Sequence, residues 1–160
     1  MMMMLSYILQ GLPEAAPLNP IARWTWVFPF IESIHICGFG LLVGTTLVLD
    51  MRLLGVIFRK QAISKLAEQL APWILTGLAI MLITGPYLLS SDPGEYIQVT
   101  SFRVKMVLLL LAIVFHFTVI RRATDPSGDD NPLGWRKLAG CVSLGLWLSV
   151  VIGGIWIGNL

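Results

Sequence analysis

The chain has 160 residues, of which 56% are hydrophobic and 12% charged. Soluble domains carry about 25% charged residues, so this composition excludes an ordinary soluble globular protein and points to an integral membrane one. The net charge of +2 identifies no partner, and because the basic residues flank apolar stretches instead of forming a continuous face, nucleic acid is excluded as a partner.

From Met1 to Gln10 the chain is apolar but too short to span a bilayer, and it shows neither a basic leader nor a small-residue cleavage site. It reads as a short interfacial N-terminal segment, closed off by Pro13, Pro17 and Pro20. The thioethers of Met1–Met4 are soft enough for copper, although ordinary interfacial packing accounts for them as well. The first span, about 24–49, opens on Arg23-Trp24-Thr25-Trp26, an interfacial anchor of rings and one cation. Between Phe58 and Leu70 the apolar residues Ala62, Ile63, Leu66, Ala67 and Leu70 recur at helical spacing, which predicts a short amphipathic helix on the membrane surface. The second span, about 72–90, starts at Pro72-Trp73, and Gly85-Pro86 predicts a kink or early end. A turn at Asp92-Pro93-Gly94 leads to the third span, about 102–120. A polar segment at 123–134 precedes the fourth, about 138–158.

Each stretch is near the ~20 residues that cross a hydrocarbon core of about 30 Å. The expected fold is therefore all-α: an integral membrane four-helix bundle forming a single domain over residues 1–160. No internal repeat suggests a duplicated transporter. Gly40 and Gly44, and Gly154 and Gly158, form GxxxG patterns, and Gly38 adds another small position. These glycines serve either close helix packing or room for a planar macrocycle. Cys37 and Cys141 read as small buried hydrophobes inside spans.

Ionisable residues inside the spans are the candidate functional ones, because they are costly in hydrocarbon. Glu32 and His35 are three apart and share a face of the first helix. Lys105 and His116 are eleven apart on the third, returning to within about 20° of one direction. Each helix thus carries a charge near one end and a histidine deeper in. Glu32 and Lys105 are expected to form an ion pair, with His35 and His116 beneath it as axial ligands of one haem iron and Gly38 giving room. A depth mismatch of roughly 9 Å between the histidines, at 1.5 Å per residue, has to be absorbed by helix tilt. Separate structural histidines, satisfied by Ser33 or a backbone carbonyl, are the competing reading. No phosphate loop, HExxH motif or serine nucleophile elbow is present in the sequence.

The run Trp26-Val-Phe-Pro-Phe-Ile-Glu-Ser-Ile-His35, with Leu49-Asp50-Met51-Arg52-Leu53-Leu54-Gly55, resembles a family of short four-helix bacterial inner-membrane proteins of unknown function. Pro72-Trp73, Thr84-Gly85, Phe102-Arg-Val-Lys105-Met106 and Gly140-Cys-Val-Ser143-Leu-Gly-Leu-Trp147 extend the resemblance over nearly the whole chain. It implies a multi-pass protein of the bacterial inner membrane and singles out Glu32, His35, Asp50, Arg52 and Lys105. A looser likeness to transmembrane b-type cytochromes rests on four helices with histidines.

The leading expectation is a non-catalytic electron-transfer subunit of a membrane redox complex, binding haem b, with chlorophyll as an alternative occupant. The alternatives are a cofactor-free accessory subunit, packed in the bilayer against other membrane subunits or a second copy of itself, and a proton or copper permease. Orientation comes from charge: Arg52, Arg59, Lys60, Lys65, Arg121, Arg122, Arg136 and Lys137, eight of the eleven basic residues, border the loops after spans one and three. The positive-inside rule then puts both termini outside. A reporter fused after Leu160 should be active only if it is of the periplasmic kind; activity from a cytoplasm-only reporter would refute this topology.

Overall fold

The computed structural model describes residues 26–91, 100–125 and 132–157. The N-terminal segment with Arg23 and Trp24, the Asp92-Pro93-Gly94 turn, residues 126–131 of the polar 123–134 segment and Gly158 lie outside the described residues. Among the described residues there are four long helices and no strand: α1 (Val27–Leu53), α2 (Ile63–Ser91), α3 (Thr100–Ala123) and α4 (Leu133–Ile157). All four are long and apolar enough to cross a membrane. Their outward surface is apolar too: Ile36, Ile83, Leu110 and Ile152 are all exposed. A helix that is apolar all round belongs in lipid or a buried core, and this surface suits contact with a lipid bilayer.

The expected surface helix over Phe58–Leu70 is not separate. Its residues from Ile63 onward are the first turns of α2, which runs through both Pro72 and Pro86 without ending. A proline removes one amide donor from a helix but need not stop it where neighbouring groups compensate. The turn between α1 and α2 is instead made by residues 54–62. There Gly55 has φ 77° and Phe58 φ 48°, left-handed conformations that glycine adopts freely and phenylalanine only under constraint. Arg52 ties this turn down: its Nε donates to the carbonyl of Gln61 at 3.1 Å, and its Nη2 to the same oxygen at 2.6 Å. That gives Arg52, singled out by the family resemblance, a structural role.

The helices are arranged in the order α2–α1–α4–α3. α1 packs on α2 and α4, α4 also packs on α3, and α2 and α3 meet only sparsely. Neighbours in this row are antiparallel. His35 near the start of α1 meets Thr84 near the end of α2, Asp50 near the end of α1 meets Gly140 near the start of α4, and Lys105 meets Gly153.

The closest approach is between α1 and α2. A Cβ on Gly77 would lie 2.8 Å from the amide nitrogen of Leu42 and 3.0 Å from the carbonyl oxygen of Gly38. A Cβ on Gly38 would run into the Ile80 side chain. Gly40 and Gly44, the GxxxG pair of α1, have no such neighbour and are exposed. The tight helix contact therefore uses Gly38 and Gly77, one residue from each helix, and leaves the GxxxG face open. Cys37 is exposed beside that face and Cys141 is exposed on α4; both are free thiols. This corrects the expectation that they are buried, because the α1 stripe turned inward runs through Gly38, Leu42, Thr46, Leu49 and Leu53.

Gly77→Ala should lower the stability of the detergent-solubilised protein by about 1–3 kcal/mol, the usual cost of overpacking a site that cannot relax, because the added methyl meets backbone. Gly40→Ala, in open space, should change it little. Equal effects of the two substitutions in thermal or denaturant unfolding would contradict this packing.

Candidate functional site

His35 sits two turns into α1 and is half-buried. Its Nδ1 is 2.7 Å from Thr84 Oγ1, and the Thr84 hydroxyl donates to the Ile80 carbonyl at 2.6 Å. A hydroxyl has one hydrogen to give. With that hydrogen on Ile80, Thr84 can only accept from His35, so Nδ1 carries the proton and Nε2 of the neutral ring presents a lone pair. No hydrogen bond to Nε2 occurs among the described residues. This is the arrangement by which a second group sets the tautomer and direction of a metal-binding imidazole. Gly85 follows Thr84, and a Cβ there would stand 3.5 Å from His35 Cε1, in ordinary contact. Ser33 is not the histidine's partner, because its hydroxyl donates to Pro29 at 2.7 Å.

Lys105 approaches from α3. It is partly buried against α4, with its Nζ 3.5 Å from where a Cβ of Gly154 would be, and its charge is close enough to act on His35. The expected ion pair is not formed among the described residues: Glu32 is exposed on α1, while Lys105 turns toward Gly153 and Gly154. A carboxylate six residues into α1 has a short path to the headgroup region, whereas the small residues of α4 leave Lys105 a slot inside. Gly38 does not leave room for a macrocycle either, because the Ile80 side chain fills the space in front of it.

His116 occupies another place. It opens a π-helical turn, His116–Ile120, which interrupts α3. Single π turns are rare and frequent at functional sites. Its Nδ1 is buried without a hydrogen-bond partner, and its ring meets Phe117 edge-on at 5.5 Å between centroids. The ring borders a cavity of about 430 Å³ between α2 and α3, with Leu49, Glu68, Ile74, Arg121 and Asp125 also on its walls.

Depth separates the two histidines. His35 is eight residues from the start of α1 and His116 sixteen from the start of α3, roughly 12 Å against 24 Å along parallel-running helices. Leu49, which shares the cavity with His116, is itself roughly 21 Å along α1 from His35. One planar group with its metal bonded to both imidazoles does not fit that separation. Each histidine belongs to a site of its own, His35 with Thr84 and Lys105, His116 with the cavity.

Residues 24–160 match a family described as a family of unknown function, DUF6644. The chain belongs to that family. The match begins just before α1 and covers all four helices, so the motifs around His35, Asp50, Lys105 and Ser143 all lie inside it. No curated protein and no solved structure matches the chain. Thr84 had only the Thr84-Gly85 resemblance to mark it in the sequence. Its pairing with His35 is a contact across 49 residues, which no local spacing announces.

Thr84→Val removes the acceptor while keeping the shape of the side chain. In nitrogen NMR of the histidine-labelled protein, His35 should show the Nδ1–H tautomer in the wild type and a mixture of tautomers in the variant. An Nε2–H tautomer in the wild type would contradict the hydrogen-bond relay.

Proposed function

We propose that this chain is a small electron-transfer subunit of the bacterial inner membrane that holds a haem b-type tetrapyrrole on His35. The observation that carries the reading is the relay from His35 Nδ1 through Thr84 to the Ile80 carbonyl, which leaves Nε2 as a directed lone pair at membrane depth. A bound haem would supply one-electron chemistry. The chain's own contribution is to fix the ring by the Thr84 hydrogen bond and to place the Lys105 charge beside it, the two means by which a protein tunes such a group. His116, roughly 12 Å deeper, is not the second ligand in this reading.

A second reading is favoured by a separate observation: Gly40 and Gly44 are exposed with nothing packed on them. Two glycines four apart are what a transmembrane helix of another subunit needs for close approach. On this reading the chain is a cofactor-free accessory subunit.

One preparation separates the two. The detergent-solubilised protein should be coloured, with a b-type reduced-minus-oxidised spectrum. His35→Ala should abolish the colour and His116→Ala should keep it. Because the His35 site offers one imidazole, the reduced form should bind carbon monoxide. Chlorophyll-type absorption lost with His35→Ala would keep the ligand and change the metal. A preparation still colourless after haem supplementation would rule out the tetrapyrrole and leave the accessory subunit.

A further inference from the structure

Where α1 crosses α4, three buried polar side chains have no hydrogen-bond partners among the described residues. Asp50 is 1% exposed, and neither of its carboxylate oxygens accepts a hydrogen bond. Ser143, also 1% exposed, and Trp147, 3% exposed, are buried on α4 with Oγ and Nε1 unpaired. The seam is tight: a Cβ on Gly140 would lie 3.2 Å from the Asp50 carbonyl oxygen and 3.1 Å from Leu53 Cβ. Ser143 is three residues after Gly140 and Trp147 four after Ser143, so all three lie on one face of α4, the face on which Gly140 meets α1. The Ser143 hydroxyl is near enough to act on the Asp50 carboxyl, although the two are not aligned as a hydrogen bond. Thr46, one turn from Asp50 and fully buried, gives its hydrogen to carbonyls of its own helix and keeps its lone pairs.

Among the described residues no charged side chain compensates the carboxyl. On α1, Arg52 is committed to the Gln61 carbonyl. Neither Lys65 on α2 nor Arg136 or Lys137 on α4 pairs with Asp50, whose two carboxylate oxygens are both without a partner. Buried charges are otherwise found paired or bound to a cation, because an isolated one is very costly. Carboxylates inside membrane segments are conspicuous for the same reason.

We propose that Asp50, Ser143 and Thr46, backed by Trp147, form a buried site for one small monovalent cation, sodium or a proton. Sodium would take one carboxylate oxygen and the two hydroxyl oxygens. A proton would sit on the carboxyl and be donated to Thr46 Oγ1, which keeps its lone pairs, while the Ser143 hydroxyl donates to the carboxyl. In either case the Trp147 N–H, a donor only, suits the second carboxylate oxygen. A divalent ion is a poor match, since such ions draw on several oxygen ligands and more anionic charge, and among the described residues there is no group of three or more His, Cys, Asp or Glu. This site is independent of the His35 reading.

The test uses the full chain in detergent. Thermal unfolding is monitored in sodium chloride and in choline chloride at equal ionic strength and pH, with infrared spectra of the same samples. For sodium, Tm should rise with its concentration as expected of a ligand bound only by the folded state. That rise should vanish in Asp50→Asn and move to higher concentration in Ser143→Ala. For a proton, Tm should ignore sodium, and the spectrum should contain an un-ionised carboxylic acid band that is absent from Asp50→Asn and shifted in Ser143→Ala. No sodium dependence together with no acid band would overturn the proposal, as would a sodium effect undiminished in both variants. If Asp50→Asn does not fold, Ser143→Ala decides: a shift in either readout supports the site, and no shift in both overturns it.

Discussion

The backbone contact between Gly38 and Gly77 governs the geometry of the rest of this bundle. In lipid, helices gain nothing from hiding apolar surface from one another, so association rests on close packing and on polar contacts. At Gly77 the second helix comes so near the first that even a methyl group would meet the Leu42 amide. That contact fixes the rotation and register of the antiparallel pair. Thr84, seven residues after Gly77, is thereby brought level with His35, three residues before Gly38. A wider crossing would keep the same sequence but lose the 2.7 Å hydrogen bond that determines the tautomer of the ring.

The second constraint is that polar groups at membrane depth must find partners within the protein. Most hydroxyls here do so locally. Thr45, Thr76, Thr118 and Ser149 each donate to the carbonyl four residues earlier. Such bonds need no tertiary structure. Thr84 makes the same bond and also accepts from His35, which turns a local habit into a link between helices. The exceptions are the informative places. Asp50, Ser143 and Trp147 are buried and unpaired across one seam, and His116 Nδ1 is buried and unpaired beside the π turn. In a chain where nearly every other intramembrane hydroxyl is satisfied by its own helix, unpaired groups gathered at one crossing mark where an occupant is needed.

Much of the architecture was legible in the chain because it depends on composition over long windows. Four apolar stretches separated by polar ones imply four membrane-crossing helices, and the structure has four helices long and apolar enough to cross a membrane. The ends were less legible. Residues 58–70 have an amphipathic pattern that reads as a surface helix, yet from Ile63 on they belong to α2, because a helix can run through Pro72 when the rest of its turns are held. The π turn at His116 had no sequence signal; it shifts every later residue of α3 in rotation relative to an ideal helix.

By itself the sequence determined the membrane class, the number of apolar spans and the residues that are unusual there: Glu32, His35, Lys105 and His116, with Asp50 marked only by the family resemblance. These stem from transfer energy, which depends on residue type alone. Only the tertiary structure decided which of them meet. Helical spacing placed Glu32 with His35 and Lys105 with His116 on their own helices. It carried no information on how α1 and α3 are rotated or whether they are neighbours. In the row α2–α1–α4–α3, α1 faces α2 and α4. His35 is therefore partnered by Thr84, Asp50 lies against Ser143, and the two histidines stay apart. Pairings of this kind depend on where small residues allow backbones to approach, a property of two helices together and not of either one.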